Sequence, residues 1–107
     1  MNSYLKYIDT ASLDERIKTE RFPFSQNLFW DYPLENIDLK THQRYVIERV
    51  LTRGFTNDFY MLQKIYSLTE IQTALRKSKE LDPKTAHFCS WYFNIPRHEL
   101  HVSSFYH

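Results

Sequence analysis

The stretch DLKTHQRYVIERVLTRG, residues 38–54, decides the fold of this chain. Within it Leu39, Gln43, Val46, Ile47, Val50 and Leu51 recur three and four apart and are mostly apolar, the period of one helix face. Asp38 offers a side-chain acceptor for the helix start. Arg44 and Glu48 stand four apart on the outer face, a pair worth only about 0.2–0.5 kcal/mol. Arg53 and Gly54 close the helix, with a cation near the negative end of its dipole and a glycine just beyond the last turn.

The same signals repeat on the C-terminal side. Thr56-Asn57-Asp58 offers a cap for a helix over residues 58–66, with Phe59, Leu62, Ile65 and Tyr66 on its apolar face. Thr69-Glu70-Ile71-Gln72 reads as a capping box opening a helix over residues 69–79, with Ile71, Ala74, Leu75 and Ser78 turned inward. Asp82-Pro83 is an N-cap followed by proline in the first helical position. The helix it opens, over about residues 83–94, carries Ala86, Phe88, Cys89, Trp91, Tyr92 and Phe93 and is apolar nearly all round. Such a helix belongs at the centre of a bundle.

Toward the N-terminus, Ser12-Leu13-Asp14-Glu15 reads as a capping box for a short helix through about Lys18. Residues 20–37 differ in kind. Pro23 and Pro33 punctuate Phe22, Phe24, Leu28, Phe29, Trp30 and Tyr32, and the residue before each proline is biased to extended backbone. An arm this apolar must pack on its own domain or on a partner. No segment alternates with a period of two. The expectation is an all-α fold: a compact bundle of four to five short helices with an irregular aromatic N-terminal arm. Residues 1–27 form the arm with its short helix, and residues 28–107 the bundle.

Composition narrows the function. Glycine occurs once in 107 residues, at Gly54. Phosphate-cradling loops, dinucleotide fingerprints and nucleophile elbows need several residues that tolerate unusual backbone or close approach. A single cysteine excludes an internal disulfide framework. The formal net charge is +1, so no global field steers the chain onto nucleic acid or an anionic membrane. The start of the sequence lacks a secretory signal and no apolar run approaches a membrane span, so the expected location is the cytoplasm. Aromatic residues make up 17% of the chain, more than one small domain readily hides.

Four constellations merit weighing. Residues 58–66 and 69–79, separated by Ser67-Leu68, fit a helix-turn-helix. Gln72 and Thr73 would then face bases, and Arg76, Lys77 and Lys79 would meet phosphates. The plainer reading is that cations in a last turn complement the helix dipole. His98 and His101 stand three apart, with His107 or His87 as conceivable further metal ligands, but the motif is not H-E-x-x-H and ordinary surface histidines fit better. Cys89 and His87 are two apart on a helix and so do not face each other, which argues against a catalytic pair. The aromatic arm supplies anchors of the kind that dominate protein interfaces.

Three stretches, Leu28-Phe29-Trp30-Asp31, Ile47 to Gly54 and Lys84-Thr85-Ala86-His87-Phe88, resemble a family of small uncharacterised bacterial proteins common in Bacteroidetes. That family carries an LFWD, ERVLxxG and KTAxF pattern, and the likeness covers about residues 27–96. Cys89 stands where the family motif has tryptophan. Genes of this family often lie beside an AbiEii-type nucleotidyltransferase toxin, which implies an antitoxin-like or accessory partner. No catalytic, cofactor-binding or metal-binding residue carries over, and no small-molecule substrate is implied. The expected function is therefore a non-enzymatic protein-interaction domain. Phe29, Trp30 and Tyr32 would anchor a toxin partner while Arg44, Arg49 and Arg53 reach its acidic catalytic cleft. The alternative is a helix-turn-helix DNA-binding regulator.

Overall fold

The computed structural model describes residues 8–79 and 81–102. Five α-helices run in chain order: α1 (Thr10–Thr19), α2 (Gln43–Arg53), α3 (Thr56–Ile65), α4 (Leu68–Lys77) and α5 (Pro83–Tyr92). Single 3₁₀ turns lie at Gln26–Phe29, Leu34–Asn36 and Arg97–Glu99. Among the described residues there is no β-sheet, only one isolated bridge where Val102 comes back beside Leu81. Helix α2 is the hub, packing on α4, on α3 and on the turn at Gln26–Phe29, while α1 lies on α3. The all-α expectation holds.

Each helix begins where a side chain or a turn absorbs its first amides, and here the structure corrects several expected starts. The cap of α1 is Asp9, whose Oδ1 accepts from the Ser12 amide, so Ser12 lies inside the helix. Asp38 caps a separate turn, accepting from the Lys40 and Thr41 amides, and α2 starts only after His42. The box that opens α4 is Ser67 with Glu70: the Ser67 amide donates to Glu70 and the Glu70 amide to Ser67 Oγ. Asp82 caps α5 as read, accepting from the Thr85 amide with Pro83 behind it. That helix ends earlier than expected. Asn94 takes left-handed backbone (φ 55°), and the Ile95 amide returns to the Ser90 carbonyl, the closing bond of a Schellman turn.

Gly54 matters for a different reason from the one expected. It caps α2 in extended backbone with φ −77°, so no left-handed conformation requires glycine. Space does. A Cβ there would lie 2.5 Å from the Val50 carbonyl oxygen and 3.3 Å from Asp58 Cβ. Only a residue without a side chain lets α2 turn into α3 this tightly.

One cluster of buried side chains runs through the whole molecule. Leu13 of α1 and Phe24, Leu28, Phe29 and Ile37 of the arm share it with Val46, Ile47, Met61, Leu62, Ile71, Leu75 and Leu81. The boundary drawn at residue 27 therefore does not divide the core. The arm is irregular but folded, and its backbone is satisfied by side chains. The Arg21 guanidinium donates to the carbonyls of Leu34, Glu35 and Ile37, and Arg16 donates to that of Pro23. Polar groups thus stand in for the missing ladder bonds.

Asp58 ties the arm to the bundle. It is completely buried, in the first turn of α3. Its Oδ1 accepts from the Ser25 amide at 2.8 Å, and its Oδ2 accepts from the Ser25 hydroxyl at 2.8 Å and the Phe55 amide at 3.1 Å. Asp58→Ala removes the acceptor shared by two part-buried backbone amides and a hydroxyl, leaves a cavity in the core, and should cost about 2–4 kcal/mol. Ser25→Ala, which removes only the hydroxyl, should cost less. Urea denaturation of the two variants measures both; an Asp58→Ala midpoint equal to that of the parent would show that this junction is not stabilising.

Candidate functional site

Position 30 is where the arm turns a ring out of the core, to which it returns at Ile37. Phe29 is 2% exposed and Trp30, the next residue, is 75% exposed. Phe29 fills a pocket of rings, with Phe22 at 4.9 Å and Tyr45 at 5.7 Å between centroids, both edge-on. The 3₁₀ turn at Gln26–Phe29 points successive side chains in different directions, so Trp30 faces solvent. Tyr32 is 45% exposed and lies beside Tyr45 and His42. Of the expected aromatic anchors, Trp30 and Tyr32 are available and Phe29 is not: its burial in the core corrects that assignment.

Asp31 and Arg49 hold the turn in place. Arg49 Nη1 and Nη2 meet Asp31 Oδ1 and Oδ2 at 3.0 and 2.9 Å, a two-pronged pair, and Nη1 also donates to the Leu28 carbonyl at 2.7 Å. Tyr45 donates its hydroxyl to Asp31, and the Arg49 guanidinium sits 4.9 Å from the centre of the Tyr45 ring. Geometry of this kind is more specific than a single exposed ion pair, because the fork fixes angle as well as distance. Arg49 is consequently committed within the chain and is not a free cation for an acidic cleft, as the sequence had suggested. It positions the loop that presents Trp30.

The other expected cations part company. Arg53 is exposed in the last turn of α2, four residues after Arg49 and so on the face that borders the arm. Arg44 turns the other way, its Nη1 donating to the Lys77 carbonyl at the end of α4.

The two helices that the sequence offered for a helix-turn-helix are α3 and α4, joined by Tyr66 and Ser67. Their chemistry is distributed unlike a base-reading helix. The Gln72 side-chain amide donates to the Phe93 carbonyl at 2.8 Å. Thr73 is exposed. Arg76 Nε is 2.7 Å from Glu99 Oε1. Lys77 and Lys79 are exposed near the far end of α4. Among the described residues no group of three or more His, Cys, Asp or Glu could hold a metal ion. His98 lies exposed beside Glu99, while the His101 carbonyl accepts from the Leu81 amide, and His107 lies outside the described residues. No helix among the described residues is long and apolar enough to cross a membrane.

A second aromatic surface went unread in the sequence. Helix α5 is not central. It buries Thr85, Ala86 and Cys89, and turns Phe88 and Trp91 outward, Trp91 being 73% exposed. Phe88 and Phe59 pack on Tyr92, with ring centroids at 5.3 and 5.0 Å. The signal was available: Lys84, His87, Phe88 and Trp91 fall at i, i+3, i+4 and i+7, and a stripe that begins with a lysine and a histidine is an outer face.

Residues 24–75 match the model of a family described as a family of unknown function (DUF6922). The matched span contains the Trp30 turn, the Asp31–Arg49 pair and the Asp58 junction. Comparison with curated proteins finds no match, and comparison with solved structures finds none either.

The site generates two measurements. Hydrogen bonds from Arg49 and then Tyr45 hold the Asp31 carboxyl below its ordinary value of 3.8, at about 2. A carboxyl with a depressed value stabilises the fold above the unfolded value and loses that contribution as pH falls through the folded one. The loop should therefore loosen between about pH 4 and pH 2. The Asp31 carboxyl carbon, followed by NMR, should titrate near pH 2; a midpoint near 4 would mean the pair is not formed in solution. Cys89 is the converse case: burial, followed by the charge of Asp82, pushes its thiol up to about 12. A thiol-specific reagent at pH 8 should label it only as fast as the protein unfolds, and rapid labelling of native protein would contradict its burial.

Proposed function

We propose that this chain is a non-enzymatic protein-interaction domain of the cytoplasm, an antitoxin-like or accessory partner of a nucleotidyltransferase-type toxin. It docks through Trp30 and Tyr32, with Arg53 at the rim. The observation that carries the reading is the abrupt change at position 30, where a large ring is held in water by a loop whose neighbours are fixed by packing and by the Asp31–Arg49 pair. Interface hot spots are enriched in Trp, Tyr and Arg, and a side chain that is already oriented loses less freedom on binding. The toxin class rests on the likeness of the LFWD, ERVLxxG and KTAxF stretches to a family encoded beside such enzymes.

Co-expression with a nucleotidyltransferase toxin of the AbiEii type should yield a complex that survives gel filtration. Trp30→Ala should weaken it at least tenfold while leaving the melting temperature unchanged, since the ring contributes nothing to the core. An Asp31→Asn variant, which keeps Trp30 but loosens its loop, should weaken binding by less. A Trp30→Ala protein that binds and neutralises as well as the parent would remove this surface from the interface.

A further inference from the structure

The near-neutral total charge conceals a polarised surface. Arg44 from α2, Arg76 and Lys77 from the last turn of α4, Lys79 just beyond it, and His101 from the returning C-terminal segment line one open concavity of about 440 Å³. All five are exposed. Arg76 is matched by Glu99 across 2.7 Å. Arg44, Lys77 and Lys79 leave three formal positive charges on this face. The chain as a whole carries +1, so the remainder of it is net −2.

Helix dipoles do not account for the cluster. Lys77 and Arg76 sit at the C-terminal end of α4, where cations are favoured. Arg44 sits in the first turn of α2, at the positive end of that helix, where a cation is disfavoured and the first turn holds no acidic side chain. The fold brings this arginine against the Lys77 carbonyl, gathering like charges from two separate segments. A polyanion laid on this face would find those charges already gathered.

We propose that this concavity binds the phosphates of a nucleic-acid backbone, without reading its sequence. The open shape does not enclose a small ligand, which would need most of its surface buried. Its several exposed cations on an open surface suit successive phosphates along a polymer. The Gln72 amide in the middle of α4 is committed to the Phe93 carbonyl, so that side chain is not available to read a base. The site is separate from the Trp30 surface, so the two readings stand or fall independently.

A fluorescent random-sequence DNA duplex, titrated with the full chain, tests this. Three phosphate contacts give a log–log salt slope of roughly −2.7, so affinity should fall about 40-fold between 50 and 200 mM salt. Two unrelated duplex sequences should bind alike. The double variant Lys77→Glu with Lys79→Glu should lose at least tenfold in affinity and flatten the salt slope, with a melting temperature only slightly lowered, because both side chains are exposed and the helix-dipole contact of Lys77 is small. Arg44→Gln should show a smaller loss, and Trp30→Ala none. Absence of binding at 50 mM salt, a strong preference between the two sequences, or full affinity in the charge-reversed variant would each overturn the proposal. So would a charge-reversed variant that binds DNA normally yet loses the toxin complex, which would make this face part of a protein interface.

Discussion

A buried carboxylate at the head of α3 governs the rest of the structure. Asp58 has no exposed surface, and the donors that satisfy it come from Ser25 in the arm and Phe55 at the helix junction. A buried charge without partners costs far more than a fold of this size can absorb. The chain must therefore bring Ser25 to that point, and doing so delivers Phe24, Leu28 and Phe29 to the core. The same junction needs Gly54, because α2 meets α3 with backbone and Asp58 already in contact with the space a Cβ would fill. Arm, joint and core are thus one solution to a single electrostatic demand.

The surplus of rings follows from that geometry. Phe24 and Phe29 fill the space that the arm closes over, and Tyr45, Tyr60 and Tyr66 each keep their hydroxyl on a polar partner while the ring packs. Among the described residues, Trp30, Tyr32, Phe55, Phe88 and Trp91 are the rings that remain outside. Apart from Phe55 at the α2–α3 joint, they divide into two surfaces with different supports. The first is pinned by a guanidinium–carboxylate fork, and the second is a row of rings on α5 lying against Phe59 and Tyr92.

Periodicity revealed most of the architecture and little of the site. The inward residues of α2 and α4 stand out in the sequence because each helix has one apolar stripe, and Asp82-Pro83 marks the start of α5 without ambiguity. Caps were harder. Ser12, Asp38 and Thr69 are good cap residues, yet Asp9, His42 and Ser67 take those positions because tertiary packing sets where each helix axis begins. Helix α5 was misplaced because aromatic residues count as apolar whichever way they face. The Asp58–Ser25 and Asp31–Arg49 pairings span 33 and 18 residues and obey no local spacing rule. Nothing in one sequence distinguishes Phe29 from Trp30; only the turn that carries them does.

Every α-helix here is ten or eleven residues long. Segments that short scarcely hold their shape alone in water, since nucleation is costly and few backbone bonds follow it. The rods therefore exist only while the whole assembly does. A nascent chain still on the ribosome, or a fragment clipped by a protease, has no half-finished version of the Trp30 platform to offer. Display of the Trp30 ring is consequently all-or-none.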